Sequence, residues 1–263
     1  MCELLGITSN RPVDMAASLT LFGKRGGETN PDGWGVAYRE SDRFVLRKEP
    51  EAAASSRLFA KVAAAVVSNL VIAHVRKANP PTARTMANTH PFARDCCGRP
   101  WVFAHNGKVS EVVQPDGCCH PQLSQPLGET DSEHAFCFLL DEFARVFDRA
   151  ASIGHADWLQ TLATFSGSIA AYGRFNFLIS DGEHLIAYGH DRLHSLQRRG
   201  SDLVMTLLAT EPLTDDERWE AFRPGELRVF RHGERVAGWN SGPMQSGMPH
   251  PCNAIDRQGS TRP

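Results

Sequence analysis

Met1-Cys2-Glu3-Leu4-Leu5-Gly6-Ile7-Thr8 sets a cysteine one residue from the start of the chain and follows it at once with an apolar run. That run reads as a buried strand. Removal of Met1, which a small second residue permits, makes Cys2 the N-terminal residue, with a thiol and a free α-amine on one carbon. In model peptides an α-amine titrates near pH ~7.7–8.0 and a thiol near ~8.5, so each is close enough to neutrality to serve the other. The amine then acts as the base that frees the thiolate, as it does for an N-terminal threonine. A strand over the next six residues would hold this end still. The alternative is a cysteine that packs as a small hydrophobe, and position alone favours it, because a single cysteine is a weak motif.

Composition narrows the class. At 263 residues the chain has room for one large domain or two small ones, and its 41% hydrophobic and 22% charged content suits a soluble globular protein. A formal net charge of −2 offers no electrostatic case for nucleic acid or an anionic membrane. No apolar run approaches the ~20 residues that cross a bilayer, and no basic stretch followed by an apolar one marks a signal peptide. The expectation is a cytoplasmic protein whose seven cysteines are reduced.

From the first strand outward, Val13 to Phe22 reads as a short helix after a loop at Asn10-Arg11-Pro12, and Gly23 to Gly33 is too rich in Gly, Pro and Asn for regular structure. Trp34 to Arg39 and Arg43 to Lys48 form a hairpin, residues 51–66 a helix, and Asn69 to Arg76 a strand covered on both faces. Residues 77–100 form a long connection, of a kind that is usually functional or disordered. Trp101 to His105 is a strand that ends at Asn106-Gly107. Thr130-Asp131-Ser132-Glu133 fits a capping box and opens a helix whose apolar face is Phe136, Leu139, Leu140, Phe143 and Phe147. A further helix covers roughly 155–166. From Phe175 the chain alternates strands and turns, with Asp181-Gly182 and His232-Gly233 as hairpin turns. Residues 1–240 form the domain, and 241–263 read as a poorly ordered tail. The order of strands, helices, then strands predicts an α+β protein with antiparallel sheets and segregated helices.

A thiolate that cleaves an amide needs donors for the oxyanion and anchors for the substrate. Asn106-Gly107 offers a side-chain amide and a backbone N–H together, the composition of an oxyanion hole; a type I′ hairpin turn is the alternative. Arg76 ends a buried strand, where a guanidinium must find a partner or face a cleft, and it can grip a carboxylate with two parallel hydrogen bonds. Asp131 can bind an ammonium, or complement the helix dipole. Together these residues describe a pocket for an α-amino acid whose side chain carries the scissile amide. Cys96-Cys97 and Cys118-Cys119-His120 flank the 101–107 strand, but their spacing is not that of a zinc site, and adjacent cysteines are expected to point apart. No metal or other cofactor is expected.

The sequence resembles the class II, N-terminal nucleophile type glutamine amidotransferase domain, in its stand-alone YafJ-like branch. The residues that carry the resemblance are Met1-Cys2-Glu3-Leu4-Leu5-Gly6, Arg25-Gly26-Gly27, Asp32-Gly33-Trp34-Gly35, His74-Val75-Arg76-Lys77-Ala78, Asn88-Thr89-His90-Pro91-Phe92, Phe103-Ala104-His105-Asn106-Gly107, Thr130-Asp131-Ser132-Glu133 and Phe175-Asn176-Phe177-Leu178-Ile179-Ser180-Asp181-Gly182, in that order. The resemblance implies a four-layer αββα sandwich of two antiparallel sheets, the N-terminal nucleophile hydrolase type. It also implies roles: Cys2 attacks a γ-glutamyl amide, Asn106 and Gly107 form the oxyanion hole, and Arg76 and Asp131 bind the substrate α-carboxylate and α-amine. Arg25 and Gly26 help order the Cys2 end, His90 lines the pocket, and His74 and His105 are satisfied buried residues. Three readings stay open. The chain supplies ammonia from glutamine to a separate synthase, hydrolyses larger γ-glutamyl compounds unaided, or is a catalytically dead binding subunit if Met1 is retained. A homo-oligomer is compatible with each.

Overall fold

A computed structural model of the chain describes residues 1–25, 29–78, 82–113, 121–148, 155–215 and 217–240. The predicted tail, Gly26 and the Cys118-Cys119-His120 cluster lie outside the described residues. The described strands form two antiparallel sheets. In the seven-stranded sheet, β1 (Glu3–Asp14) lies between β4 (Val67–Arg76) and β10 (Val204–Ala209). Beyond β4 come β2 (Gly33–Glu40) and β3 (Arg43–Glu49), and beyond β10 come β9 (His194–Arg199) and the two-residue β11 (Glu220–Ala221). The six-stranded sheet runs β13 (Glu234–Asn240), β12 (Glu226–Arg231), β8 (Leu185–Gly189), β7 (Arg174–Ser180), β6 (Arg99–Lys108) and β5 (Phe92–Cys96).

The period-2 alternation of strand side chains sorts the core into three layers. In β1, Leu5 and Ile7 pack with Leu19, Phe22, Phe59 and Val62, the apolar faces of α1 (Ala16–Arg25) and α2 (Arg57–Ala65). In β6, Trp101 and Phe103 pack with Phe136, Leu140, Trp158 and Leu162 of α3 (Asp131–Asp148) and α4 (His155–Ala170). The opposite faces of the same strands meet each other: Leu4, Ile72, Val102, Ala104, Leu178 and Leu208 form the middle layer. Gly6 lies on this inner face, where a Cβ would come within 3.0 Å of Leu178 Cδ1. Its bare backbone lets the sheets approach. The result is the four-layer αββα sandwich that the resemblance implied.

Several local readings are corrected. The first strand continues through Asn10-Arg11-Pro12 to Asp14, with a register shift between Thr8 and Val13, so α1 starts later than expected, where Asp14 Oδ1 accepts from Ala16 N at 2.8 Å. The helix read over 51–66 begins at Arg57, because Ser56 Oγ caps it by accepting from Phe59 N at 2.9 Å. The long 77–100 connection hides β5, whose charged Arg94 and Asp95 mask the strand pattern; Arg94 pairs with Glu133 of α3 at 2.5 Å. Asn106-Gly107 is not a hairpin turn but sits at the end of β6, one residue before its last, Lys108, and is paired with Asn176 and Phe175. The capping box is half formed: Glu133 N donates to Thr130 Oγ1 at 3.2 Å, while the Glu133 carboxylate accepts from Gly128 N and Arg94. By contrast, His232 and Gly233 have φ of 53° and 79°, as a type I′ turn requires.

Candidate active site

Following the inner faces of four central strands toward one end of the sandwich builds the site. On β4 the inward series Ile72, His74, Arg76 passes from apolar to charged, and on β6 and β7 the residues two beyond Ala104 and two before Leu178 are Asn106 and Asn176. Cys2 stands two residues before Leu4 on β1. Strand parity thus delivers five polar side chains to one end of the middle layer.

Cys2 Sγ is held by Lys77, accepting from its N–H at 3.2 Å and donating to its carbonyl at 3.4 Å. Asn106 Nδ2 donates to the Cys2 carbonyl. Asn176 is a buried tie: its Oδ1 accepts from the backbone N–H groups of His190, Asp191 and Arg192 at 2.8, 3.1 and 3.2 Å, and its Nδ2 donates to Asp191 at 2.8 Å and to the Asn106 carbonyl at 3.4 Å. Gly107 has φ +150°, and a Cβ there would come within 1.8 Å of the Arg174 carbonyl. No other residue fits, and the bare backbone faces a cleft.

That cleft, of about 710 Å³, is lined by Cys2, Arg76, His90, His105, Gly107 and Asp131 among others. Arg76 donates to the carbonyls of Asp32 and Ala83 at 3.5 and 3.2 Å and to Thr82 Oγ1 at 3.3 Å. Asp32 in turn accepts from Ala78 N at 2.7 Å and pairs with Arg84. Asp131, the first residue of α3, accepts from Val109 N at 2.7 Å and from Ser132 N at 2.8 Å. Its Oδ1 also accepts from Ser132 Oγ at 3.2 Å, which leaves a second lone pair on Oδ2 for a further donor. Of the predicted site residues, Cys2, Arg76, His90, Gly107 and Asp131 meet on the cleft, and Asn106 touches Cys2 behind it. Gly26 and the Arg25 side chain lie outside the described residues.

The histidines divide differently from expectation. His105 is satisfied, with Nδ1 at 2.8 Å from Ser132 Oγ and Nε2 at 3.2 Å from the Arg174 carbonyl. His74 is not: among the described residues neither its ring nitrogens nor those of His90 find a partner, and the two rings lie 4.3 Å apart. Burial, then His105 and Arg76, pushes His74 down to about 3. Burial and the neighbouring histidines likewise hold His90 well below the usual range. Both are neutral at pH 7. Burial pushes the Cys2 thiol up, against the Lys77 N–H, the amino terminus and Arg76, which favour the thiolate. Cys96 Sγ and Cys97 Sγ lie 2.8 Å apart instead of pointing away from each other, and among the described residues no three His, Cys, Asp or Glu gather as metal ligands. No described helix is long and apolar enough to cross a membrane.

Two features escaped the sequence. The Lys77 backbone contact to sulfur has no side-chain signature. Asn176 had one: a polar residue at an inward position between the apolar Phe175 and Phe177.

Comparison with known proteins bears on this geometry. The family model of class-II glutamine amidotransferases matches residues 1–201 and 199–252. YafJ of Escherichia coli (strain K12) is 35% identical over 260 residues, covering 90% of this chain and all of that protein. A crystal structure of a predicted glutamine amidotransferase from Pseudomonas aeruginosa PA01 superposes with a TM-score of 0.69 at 33% identity, covering 90% of this chain and 100% of that one. The gamma-glutamyl-hercynylcysteine sulfoxide hydrolase of Mycobacterium tuberculosis (strain H37Rv) is 28% identical over 195 residues, covering 73% of this chain and 72% of that protein. With the family model spanning most of its length and relatives this similar, the chain belongs to the class-II glutamine amidotransferases.

Proposed function

We propose that this protein hydrolyses a γ-glutamyl amide with Cys2, as the N-terminal residue after loss of Met1, serving as nucleophile, and that residues 1–240 are the domain that does so. One observation carries the reading: Cys2 shares a cleft wall with a guanidinium, a carboxylate and an open glycine backbone. Arg76 takes the substrate α-carboxylate and Asp131 its α-ammonium. The free amine of Cys2 accepts the thiol proton, and Sγ attacks the γ-carbonyl carbon as the C–O π pair moves to oxygen. Asn106 Nδ2, released from the Cys2 carbonyl, and the Gly107 N–H donate to that oxyanion. Collapse breaks the C–N bond, and the Cys2 α-ammonium protonates the leaving amine. Water, with the same amine as base, then hydrolyses the γ-glutamyl thioester and returns glutamate and the thiol.

Burial of the thiol supports the need for an adjacent base, since Cys2 is not ionised by its surroundings alone. His105, tied to Ser132 and the Arg174 carbonyl, orients the cleft wall, and His90 forms part of its floor. Arg25 and Gly26 enter by family resemblance alone. The activity named for the Mycobacterium tuberculosis relative supports a γ-glutamyl bond as the point of attack. Glutamate release from glutamine and from γ-glutamyl peptides by protein of verified mass tests the reading. Wild type is expected to release glutamate and Cys2→Ala to release none; equal rates would remove Cys2 from the reaction.

A further inference from the structure

We infer that Asn176 is a positioning residue for the reaction: its side chain fixes which way the Asn106 amide points, and so keeps an N–H group aimed at Cys2. This rests on the reading above and says what holds its oxyanion donor in place. Asn106 and Asn176 are a directly opposed cross-strand pair of β6 and β7, both fully buried. A primary amide carries an oxygen on one branch and an NH2 on the other, two groups of nearly the same shape. Packing alone therefore does not choose between the two orientations of Asn106. Hydrogen bonding does.

The choice starts at the bend after β8. The N–H groups of His190, Asp191 and Arg192 converge on one atom of the Asn176 side chain, at 2.8, 3.1 and 3.2 Å. An NH2 group accepts nothing, so this atom is Oδ1 and the other branch is Nδ2. One Nδ2 hydrogen goes to Asp191 Oδ1 at 2.8 Å, and that carboxylate is held in turn by Arg174 Nε. The remaining hydrogen is shared by the Asn106 carbonyl at 3.4 Å and Asn106 Oδ1 at 3.5 Å. With its oxygen turned to Asn176, Asn106 has its Nδ2 left for Cys2, to whose carbonyl it donates. The reversed amide would set NH2 against NH2, and oxygen against the Cys2 carbonyl oxygen, two repulsions inside a buried site. Order therefore runs from three backbone N–H groups through Asn176 to the donor that receives the oxyanion. Asn176 does not line the cleft, so it acts through Asn106 and not on the substrate.

Asn176→Ala would strip the acceptor from three N–H groups and report on folding. The informative variant exchanges the pair, Asn176→Asp with Asp191→Asn. It keeps the net charge, an oxygen for the three N–H groups and a hydrogen bond between the two side chains, and takes away the donor that faces Asn106. Glutamate release from glutamine and from γ-glutamylglycine by Met1-free protein reads the result. The exchange is expected to lower kcat by about 100-fold, as loss of one oxyanion donor does. With Arg76 and Asp131 untouched, KM should stay within about twofold of wild type. In an Asn106→Ala background the same exchange is expected to change kcat by less than about twofold. A wild-type kcat in the exchanged protein, or an equal further loss in the Asn106→Ala background, would overturn the proposal while the Cys2 mechanism stands. Neutron diffraction from wild-type crystals reads the orientation with no variant. Deuterium on the Asn106 amide is expected toward Cys2, and finding it toward Asn176 would overturn the proposal even where the exchanged protein fails to fold. Wild-type protein that releases glutamate from neither compound would overturn the mechanism, and this proposal with it.

Discussion

The middle layer of the sandwich has two ends, and the same strands build both. Toward the centre, Leu4, Ile72, Ala104 and Leu178 close an apolar contact between the sheets. Two residues along, on the same faces, stand Cys2, His74 with Arg76 beyond it, Asn106 and Asn176. One step of the strand period separates a packed core from a polar cleft. The apolar end can be rigid because it carries nothing to satisfy. The polar end inherits that rigidity, which keeps Cys2, Asn106 and Gly107 in register without a dedicated scaffold. The comparison also shows where the polar end is unfinished: His74 and His90 are buried there with ring nitrogens that find no partner among the described residues.

The contrast can be broken at either end. Leu178→Ala, in the apolar half, is expected to cost about 2–5 kcal/mol of stability in denaturant unfolding and to leave the residual folded protein active. Asn106→Ala, at the polar end, is expected to do the reverse, lowering kcat by about 100-fold or more. Its stability should change far less, so a collapse of folding with little kinetic change would erase the distinction. Acid separates the ends further. His74, pushed down to about 3, and His90, also held low, stay neutral in the folded protein but protonate near 6.5 once unfolded. Below that pH the unfolded state binds more protons, so stability is full above about 6.5 and falls as the pH drops toward 3, by up to about 1.4 kcal/mol per pH unit for each. Unfolding curves at pH 7, 6 and 5 measure the slope. A flat profile would mean these rings are protonated or solvated in the folded state. The smallest effect is expected from His74→Leu, which removes both unpartnered nitrogens: stability should rise by about 1 kcal/mol and the acid slope should shrink.

Much of this layout was legible in the chain because apolar alternation in strands reports burial directly. The Cys2 strand, the 67–76 strand and the hairpins after Phe175 all announce themselves that way. What hid was of two kinds. β5 carries Arg94 and Asp95: the Arg94 charge is absorbed by tertiary pairing with Glu133 of α3 that no local pattern encodes, and Asp95 faces solvent. Asn106-Gly107 looked like a turn because Asn-Gly is good turn chemistry; here the φ of +150° serves a close approach of β7 at the end of a strand instead. Residue types at the site were readable from what amide chemistry requires. Their convergence was not, since it depends on which strands neighbour one another. His74 was misjudged for a related reason, whereas His90 lines the cleft as expected: burial of a ring can be inferred from an apolar strand, but satisfaction of its nitrogens depends on a neighbour 16 residues away in sequence.

The central claim is that the freed amino terminus and the thiol of Cys2 act as one unit at the polar end. A glutamine analogue bearing an electrophilic diazoketone in place of its amide, followed by peptide mass mapping, tests it most directly. The account predicts a single adduct on Cys2 in the Met1-free fraction, with none on Met1-retaining chains or on Cys96, Cys97 or Cys137. Labelling of Met1-retaining chains at an equal rate, or loss of activity with Cys2 unlabelled, would contradict it.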